Sequence, residues 1–525
     1  MGTMTEMDNV STAVKALTAE GGKYRLEPNL RDMMCLTDDG TLYVSASHAT
    51  NQHVLGFMER LRLNNFAFKV ERVSLSEIKE LYNTASPSES NTRLSKNVSV
   101  RNVGEETHRQ TEVVRLLKDA VEAGASDIHF IVDEHHCRIR YRVNGDLETK
   151  REQMAQDGRD LCGTIYMSMC DVAESTYKPY KSQDARIKRD FLKQCGLFGA
   201  RVATRPTDRG NLMVLRLLYD SRDKKLTLEG GGYLPEQIAQ IRRMGQRTTG
   251  INIFSGPTGS GKSTTLERVL SDLLVSFENK IHLLTIEDPP EYAIAGAIQT
   301  PIICDKDDDD AISREWSRSI SNSMRLDPDV MMIGEMRDLS SAVSAFRAAM
   351  TGHGVWTTLH ANDVMSILER LRDIGVEISL LSDPALITGL INQWLARKVC
   401  PGCSKPYLQH KHEVAPDLAE RIERLCDASK VRLKGKGCDA CKHTGISGRT
   451  VIAEVLVPTR ALMTVFKEKG KSDARQFWVK HMNGITKNQH LIRRINEGLI
   501  DPALGERDVC PLDEDLITLG DGNEA

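Results

Sequence analysis

Nothing in the 525 residues approaches the ~18–20 uninterrupted apolar residues that a membrane-spanning helix needs, so any membrane contact is expected to be peripheral. There is no charge excess either. Seventy basic residues against 73 acidic ones leave −3, which excludes a protein that grips nucleic acid through a global basic surplus. Cysteine is too sparse, at 12 residues, for a disulfide scaffold. Cys35, Cys162 and Cys304 sit singly, a usage that suits a reducing compartment. The opening Met1-Gly2-Thr3-Met4-Thr5-Glu6 has no basic stretch leading into an apolar run, and Glu6 stands where N-myristoylation needs Ser or Thr. A cytoplasmic protein is therefore expected. What is present is ordinary globular material, 40% hydrophobic and 27% charged, enough for three or four domains of roughly 100–200 residues.

The chain changes character along its length. Residues 1–82 mix short strand-like and helical patterns and carry no visible chemistry; we read an accessory α/β domain. Residues 83–110 are polar, opening with Asn83-Thr84-Ala85-Ser86-Pro87-Ser88, and read as a flexible linker. Residues 111–219 read as an α+β domain. Val113, Val114, Leu117, Ala120 and Val121 have helical spacing, and in Cys137–Val143 the arginines 138, 140 and 142 alternate with apolar residues, as in a half-buried strand. A charged, glycine-rich join at 220–232 follows. Residues 233–395 alternate helical patterns with short apolar strands, the signature of a parallel sheet covered by helices. Residues 396–455 are cysteine-bearing and turn-rich. Residues 456–525 read as helical, with an acidic tail from Leu512 expected to be solvated; the acidic run Asp305–Asp310 is likewise expected to be a solvated loop.

The strongest chemical signal is Gly256-Pro257-Thr258-Gly259-Ser260-Gly261-Lys262-Ser263, followed by Thr264, placed between an apolar strand and a helical pattern. Glycines let backbone N–H groups converge on phosphate oxygens, and the helix start adds its positive dipole end. Lys262 would hold the β- and γ-phosphates of ATP and Ser263 would hold Mg²⁺. The fragment Gly470-Lys471-Ser472 lacks the upstream glycine, Val465 standing in its place, and reads as a surface turn. Hydrolysis also needs a metal-holding acid and a group to orient water. Two apolar strands end in carboxylates, at Glu287 and at Glu335. Glu335 is assigned to magnesium through water and Glu287 to the attacking water; the reverse assignment stays open. His353 and His360 bracket the next strand, and one or both are expected to sense the γ-phosphate. Finally, Cys400-Pro401-Gly402-Cys403 and Cys438-Asp439-Ala440-Cys441 form two knuckles that together complete a closed tetrahedral Zn²⁺ site, structural rather than catalytic. His410 and His412 lie between the pairs but are not needed for a four-ligand set.

The phosphate loop, Ile286-Glu287-Asp288-Pro289-Pro290-Glu291-Tyr292, Arg325 through Gly334-Glu335-Met336-Arg337-Asp338, and Thr351-Gly352-His353 through His360 occur in that order. Together they resemble the Walker A, Asp box, Walker B and His box of the type II secretion and type IV pilus ATPases. The likeness extends upstream to Ala125-Ser126-Asp127-Ile128-His129 and downstream to Gly448-Arg449, and it leans toward the pilus assembly branch, including plasmid-encoded thin pili. It implies an α/β chain: a RecA-like P-loop ATPase domain preceded by a PAS-like α+β domain, with a small zinc-binding insertion. It further implies a homohexameric motor using ATP and Mg²⁺, with Arg201 and Arg216 reaching the γ-phosphate across a cleft. Such a motor would work on an inner-membrane platform protein, with the chain peripheral at the inner membrane of a bacterium and no direct nucleic-acid partner. Relatives that retract pili typically lack the cysteine module. Two departures, Ser340-Ser341-Ala342 where the family has Glu-Thr-Ala and Ala185 where it has Gly, spare every proposed phosphate or metal ligand. A conjugation-type DNA translocase and a pilus retraction motor are the alternatives.

Overall fold

The computed structural model describes residues 95–520 apart from 172–175, 220–226 and 305–307, together with most of 16–82. The chain divides into two compact units, Met1–Glu105 and Glu106–Ala525. In the first, strands Met34–Leu36, Thr41–Ser45 and Lys69–Val73 form a small sheet. Its second pair is parallel, and the helix Gln52–Leu63 makes the crossover that parallel pairing requires. Leu36, Leu42, Val44, Phe57 and Leu61 fill its core.

A helix runs over Ser95–Ala123, taking in part of the stretch expected to be linker; residues 83–94 lie outside the described residues. Val113, Leu117 and Ala120 bury one face of it, and a helix nucleated there propagates back through a run without proline that polar composition alone does not interrupt. Behind it stands a seven-stranded sheet, antiparallel throughout, in the order Asp146–Met154, His136–Val143, Ala125–Val132, Gly210–Tyr219, Leu197–Thr207, Gln183–Ile187, Cys170–Asp171. As the alternation in its sequence requires, Cys137, Ile139 and Tyr141 face the core while Arg138, Arg140 and Arg142 point away.

The second sheet has the order Ile298–Pro301, Leu283–Glu287, Val330–Ile333, Gly354–Leu359, Gly250–Ser255, Ile387–Val399, Ile446–Leu456. Every pair is parallel except the last. The central strands are buried along their whole length, which explains their unbroken apolar runs. Helices Pro235–Gly245 and Lys262–Ser276 cover one face, and Asp309–Ser323, Leu339–Met350 and Val364–Ile374 the other. This is the RecA-like α/β architecture, preceded by an α+β domain. Of the acidic run, residues 305–307 lie outside the described residues; Asp308 to Asp310 are solvent-exposed, but Asp309 and Asp310 are helical, and the Asp308 carboxylate caps their helix Asp309–Ser323 by accepting from the N–H groups of Asp310 and Ala311.

The C-terminal helices are fastened to this sheet by a buried ionic knot. Glu454, fully buried, accepts from both terminal nitrogens of Arg475, at 2.8 and 3.2 Å, and from the backbone N–H groups of Val364 and Lys487. Asp515, in the tail expected to be solvated, accepts from the Thr486 hydroxyl at 2.5 Å and lies 3.9 Å from Arg475. Helix Glu514–Leu519 thus folds back onto the knot, because Arg475 offers a buried cation that acidic composition alone does not reveal. Removing one partner of such a pair strands a buried charge. Arg475→Met is expected to cost about 3–5 kcal/mol, seen as a lowered midpoint in scanning calorimetry. Adding Glu454→Gln, which removes the stranded charge and keeps an acceptor for one of the two N–H groups, should recover part of that loss.

Candidate nucleotide site and metal centre

Parallel register decides which side chains meet. Ser255 lies opposite Leu359, and Ile333 opposite Thr357, so the loops following Ser255, Glu287, Ile333 and Leu359 all open at the carboxyl edge of the sheet. The phosphate loop turns from Ser255 into the helix Lys262–Ser276 with positive φ at Gly256, Gly259 and Gly261. At Gly256 glycine is obligatory, since φ is +143° and a Cβ would stand 2.1 Å from the carbonyl oxygen of Gln393. Lys262 Nζ donates to the carbonyls of Gly256 and Pro257, at 2.8 and 3.0 Å. Burial pulls its pKa down, and the charges of Glu335 and Glu291 push back the other way. The Thr264 hydroxyl donates to Tyr292 at 3.0 Å.

Glu335, just beyond its strand, accepts from Arg337 Nε at 2.9 Å and lies 3.3 Å from His360 Nε2. Glu287 is buried; its Oε1 accepts from the Thr285 hydroxyl at 2.7 Å and from Gln299 at 2.9 Å, and burial raises its pKa. Arg201 reaches over from the α+β domain, donating to the carbonyls of Asp288 and Pro289 at 3.0 and 3.1 Å and standing 3.5 Å from Glu291. Arg216 lies opposite it in the strand register but is turned to Asp127, at 3.0 Å. The structure therefore gathers Lys262, Glu287, Glu335 and His360 at one edge with Arg201 at the rim, and engages Arg216 elsewhere.

His353 is the correction. It precedes Gly354, which lies opposite Gly250, so it sits at the amino end of its strand while the phosphate loop occupies the carboxyl end. There its ring bonds the carbonyl of Ala348 at 3.0 Å. Of the two histidines, one or both of which are expected to sense the γ-phosphate, His360 alone lies at the phosphate-loop edge.

Tyr292 and Arg337 stand in the matched boxes with no role assigned to them, and no motif announces Gln299 or Gln393. Gln299 meets Glu287 only because Thr285 and Gln299 are register partners, a pairing no local pattern announces. A cavity of about 330 Å³ also opens beside Pro257–Ser260, closed by the Asn144–Asp146 turn, Trp394 and Arg449. Next to it Arg397 ties Asp146, at 3.0 and 3.1 Å, to Asp508, whose carboxylate accepts from Nε at 2.8 Å.

The sulfurs of Cys400, Cys403, Cys438 and Cys441 all lie within 4.8 Å of one another. The separations 400–438, 403–441 and 438–441 are 3.8, 3.9 and 3.8 Å. A regular tetrahedron of sulfurs at the usual Zn–S bond length has edges of about 3.8 Å, so the donor set fits zinc. The N–H groups of Cys438 and Gly445 point at Cys441 Sγ, each at 3.2 Å, and help push that thiol down to about 6. Such N–H bonds favour the thiolate that a metal needs. His410 and His412 stack on each other, with His410 bonded to the Pro406 carbonyl, outside this cluster. No helix of the described residues is long and apolar enough to cross a membrane.

Comparison with known proteins adds a family context. The family described as Type II/IV secretion system protein matches residues 105–500. The chain is 35% identical over 380 residues to the Type II secretion system ATPase E of Vibrio cholerae serotype O1, covering 71% of this chain and 69% of that protein. It is 36% identical over 343 residues to the Type II secretion system protein E of Dickeya dadantii, covering 65% of this chain and 64% of that one. The chain therefore spans about two thirds of the length of these relatives. Among solved structures, the Legionella pneumophila ATPase DotB superposes with a TM-score of 0.52 at 19% identity, covering 76% of this chain and 95% of that chain, a likeness of fold.

Purified, reduced protein is expected to carry one zinc per chain by elemental analysis. Cys400→Ser should lose it and loosen the module to limited proteolysis, while leaving nucleotide binding at Lys262 in place at first. Zinc-free wild-type protein would overturn the assignment.

Proposed function

The chain belongs to the Type II/IV secretion system protein family, and on that premise we propose that it is a motor ATPase. It hydrolyses ATP to drive assembly of a type IV pilus or pseudopilus, or type II secretion. The observation that carries this reading is the convergence of Lys262, Glu335, His360 and Glu287 on one sheet edge, at the start of the helix that the phosphate loop feeds. In this reading the loop from Gly256 to Thr264 cradles the phosphates through its N–H groups, and Ser263 and Glu335 hold the magnesium ion. Magnesium, when bound, neutralises charge on the phosphate oxygens. Glu287 orients the attacking water; its burial keeps it clear of bulk solvent, and Thr285 and Gln299 fix its angle. His360, joined to Glu335, reads the γ-phosphate.

Arg201 and Arg216 complete the site from the α+β domain, Arg216 exchanging Asp127 for phosphate oxygen. A guanidinium suits this role because its charge is permanent and its fork bidentate. The working form is a homohexamer docked on an inner-membrane platform protein, peripheral on the cytoplasmic side. The tetracysteine module supports assembly or secretion rather than retraction. The near-cancelling charge of −3 argues against a DNA translocase.

Phosphoryl transfer depends on positioning and charge, so Lys262→Ala should nearly abolish phosphate release in a steady-state assay. Glu287→Gln should still bind a fluorescent ATP analogue while losing turnover; normal turnover in Glu287→Gln with none in Glu335→Gln would reverse the two roles. Arg201→Ala and Arg216→Ala should each lower kcat by about 10³-fold or more, with a smaller effect on nucleotide affinity. Specific activity should rise with protein concentration in step with hexamer formation measured by light scattering. A fully active monomer at every dilution would sink the hexameric reading.

A further inference from the structure

The strand Ile387–Val399 carries no residue given a chemical role above, yet two consecutive side chains on it hold two of the loops on which the chemistry depends. Gln393, 1% exposed, donates from Nε2 to the carbonyl of Ser260 at 2.6 Å, and its Oε1 accepts from the Tyr233 hydroxyl at 2.5 Å. Asn392, fully buried, donates to the Ser255 hydroxyl and to the carbonyl of Ala361, both at 2.9 Å, and accepts from the Trp394 indole at 2.9 Å. Successive strand residues face opposite sides of a sheet, so one residue serves the loop after Ser255 and its neighbour serves the loop after Leu359.

From this geometry we propose that Gln393 and Asn392 are positioning residues for nucleotide hydrolysis, Gln393 aiming the phosphate loop and Asn392 aiming the loop that carries His360. The inference rests on the nucleotide reading above. The physical reason is peptide planarity. The C=O of Ser260 and the N–H of Gly261 belong to one rigid plane and point in opposite directions. Holding the carbonyl down on Gln393 therefore turns the Gly261 N–H outward, the direction from which a phosphate oxygen is received. A Cβ at Gly261 would stand 3.0 Å from Gln393 Nε2, so the loop already lies on the amide. Tyr233 fixes which end of that amide faces the loop. In the same way Asn392 pins the Ala361–Asn362 peptide, one residue beyond His360. The Lys487 ammonium, which donates to the Asn362 carbonyl at 3.3 Å and lies 4.9 Å over the Trp394 ring, closes the second grip.

The test uses the full chain and two readouts, equilibrium binding of a fluorescent ATP analogue and steady-state hydrolysis. Gln393→Leu should weaken nucleotide affinity and raise KM by about tenfold, the weight of one lost buried hydrogen bond, with kcat changed much less. Gln393→Glu keeps the Tyr233 bond and lacks the donor, so it should fall with Gln393→Leu. Tyr233→Phe should shift affinity in the same direction by a smaller factor, and it decides the matter should the Gln393 variants not fold. Asn392→Leu should show the opposite split, kcat down about tenfold with affinity nearly kept. Asn392→Asp keeps the Trp394 bond without either donor and stands in for Asn392→Leu if that variant does not fold. With kcat counted per folded molecule, variants whose KM and kcat stay at wild-type values, so that any lost activity only tracks lost folded protein, overturn the positioning roles. Wild-type protein without ATP hydrolysis overturns the nucleotide reading itself, a separate outcome.

Discussion

Strands laid side by side in one direction put all their carboxyl ends along one edge, and the candidate nucleotide site depends on that constraint. The loop after Ser255 supplies the lysine, the end of the next strand Glu287, the loop after Ile333 Glu335, and the loop after Leu359 His360. None of these groups is near another in sequence. The same constraint removes His353, which differs from His360 only in which end of a strand it occupies. It also forces the parallel strands to be buried on both faces, so the sheet can be stiff where its edge must be exact in position.

Stiffness at the edge is reinforced from outside the sheet. The loop following His360 runs into Asp363, which caps the helix Val364–Ile374, and that helix start is held by Glu454. Glu454 in turn belongs to the strand paired with Ile387–Val399, and it gathers Arg475 and the start of the helix at Lys487. The C-terminal helices are thus part of the site's support, and the buried charges among them are satisfied as a set. On the opposite flank, Arg397 ties the α+β domain to the last helices beside the phosphate loop. Three parts of the chain that are distant in sequence are therefore cross-braced around one loop.

The sequence revealed chemistry where a residue type and a short spacing suffice: glycines and a lysine in a phosphate loop, two-residue gaps between thiols, a carboxylate closing an apolar run. The four cysteines converge as their spacing requires. It could not reveal facts that exist only between segments. The choice between His353 and His360 needs strand direction, and the engagement of Arg216 with Asp127 needs the register of two strands. Gln299 beside Glu287, or Gln393 under Ser260, needs a contact across the sheet. Composition misled at the C-terminal tail. The tail from Leu512, with five acids and no base, includes Asp515, whose cation arrives from a helix 40 residues earlier. The helix from Ser95 shows a related effect, since the propagation of a helix depends on where it is nucleated rather than on the polarity of its free end.

The strand Ile387–Val399 has a mechanical meaning as well. Its 13 residues span roughly 43 Å and pair antiparallel with Ile446–Leu456, with one register shift between Arg397 and Val399. One stretch lies under the phosphate loop at Gln393; the end at Val399 passes directly into the first knuckle at Cys400. Pairing along this ribbon loses register between Arg397 and Val399, so the strand bends just before the first knuckle, and that bend sets the angle at which the cysteine module leaves the sheet.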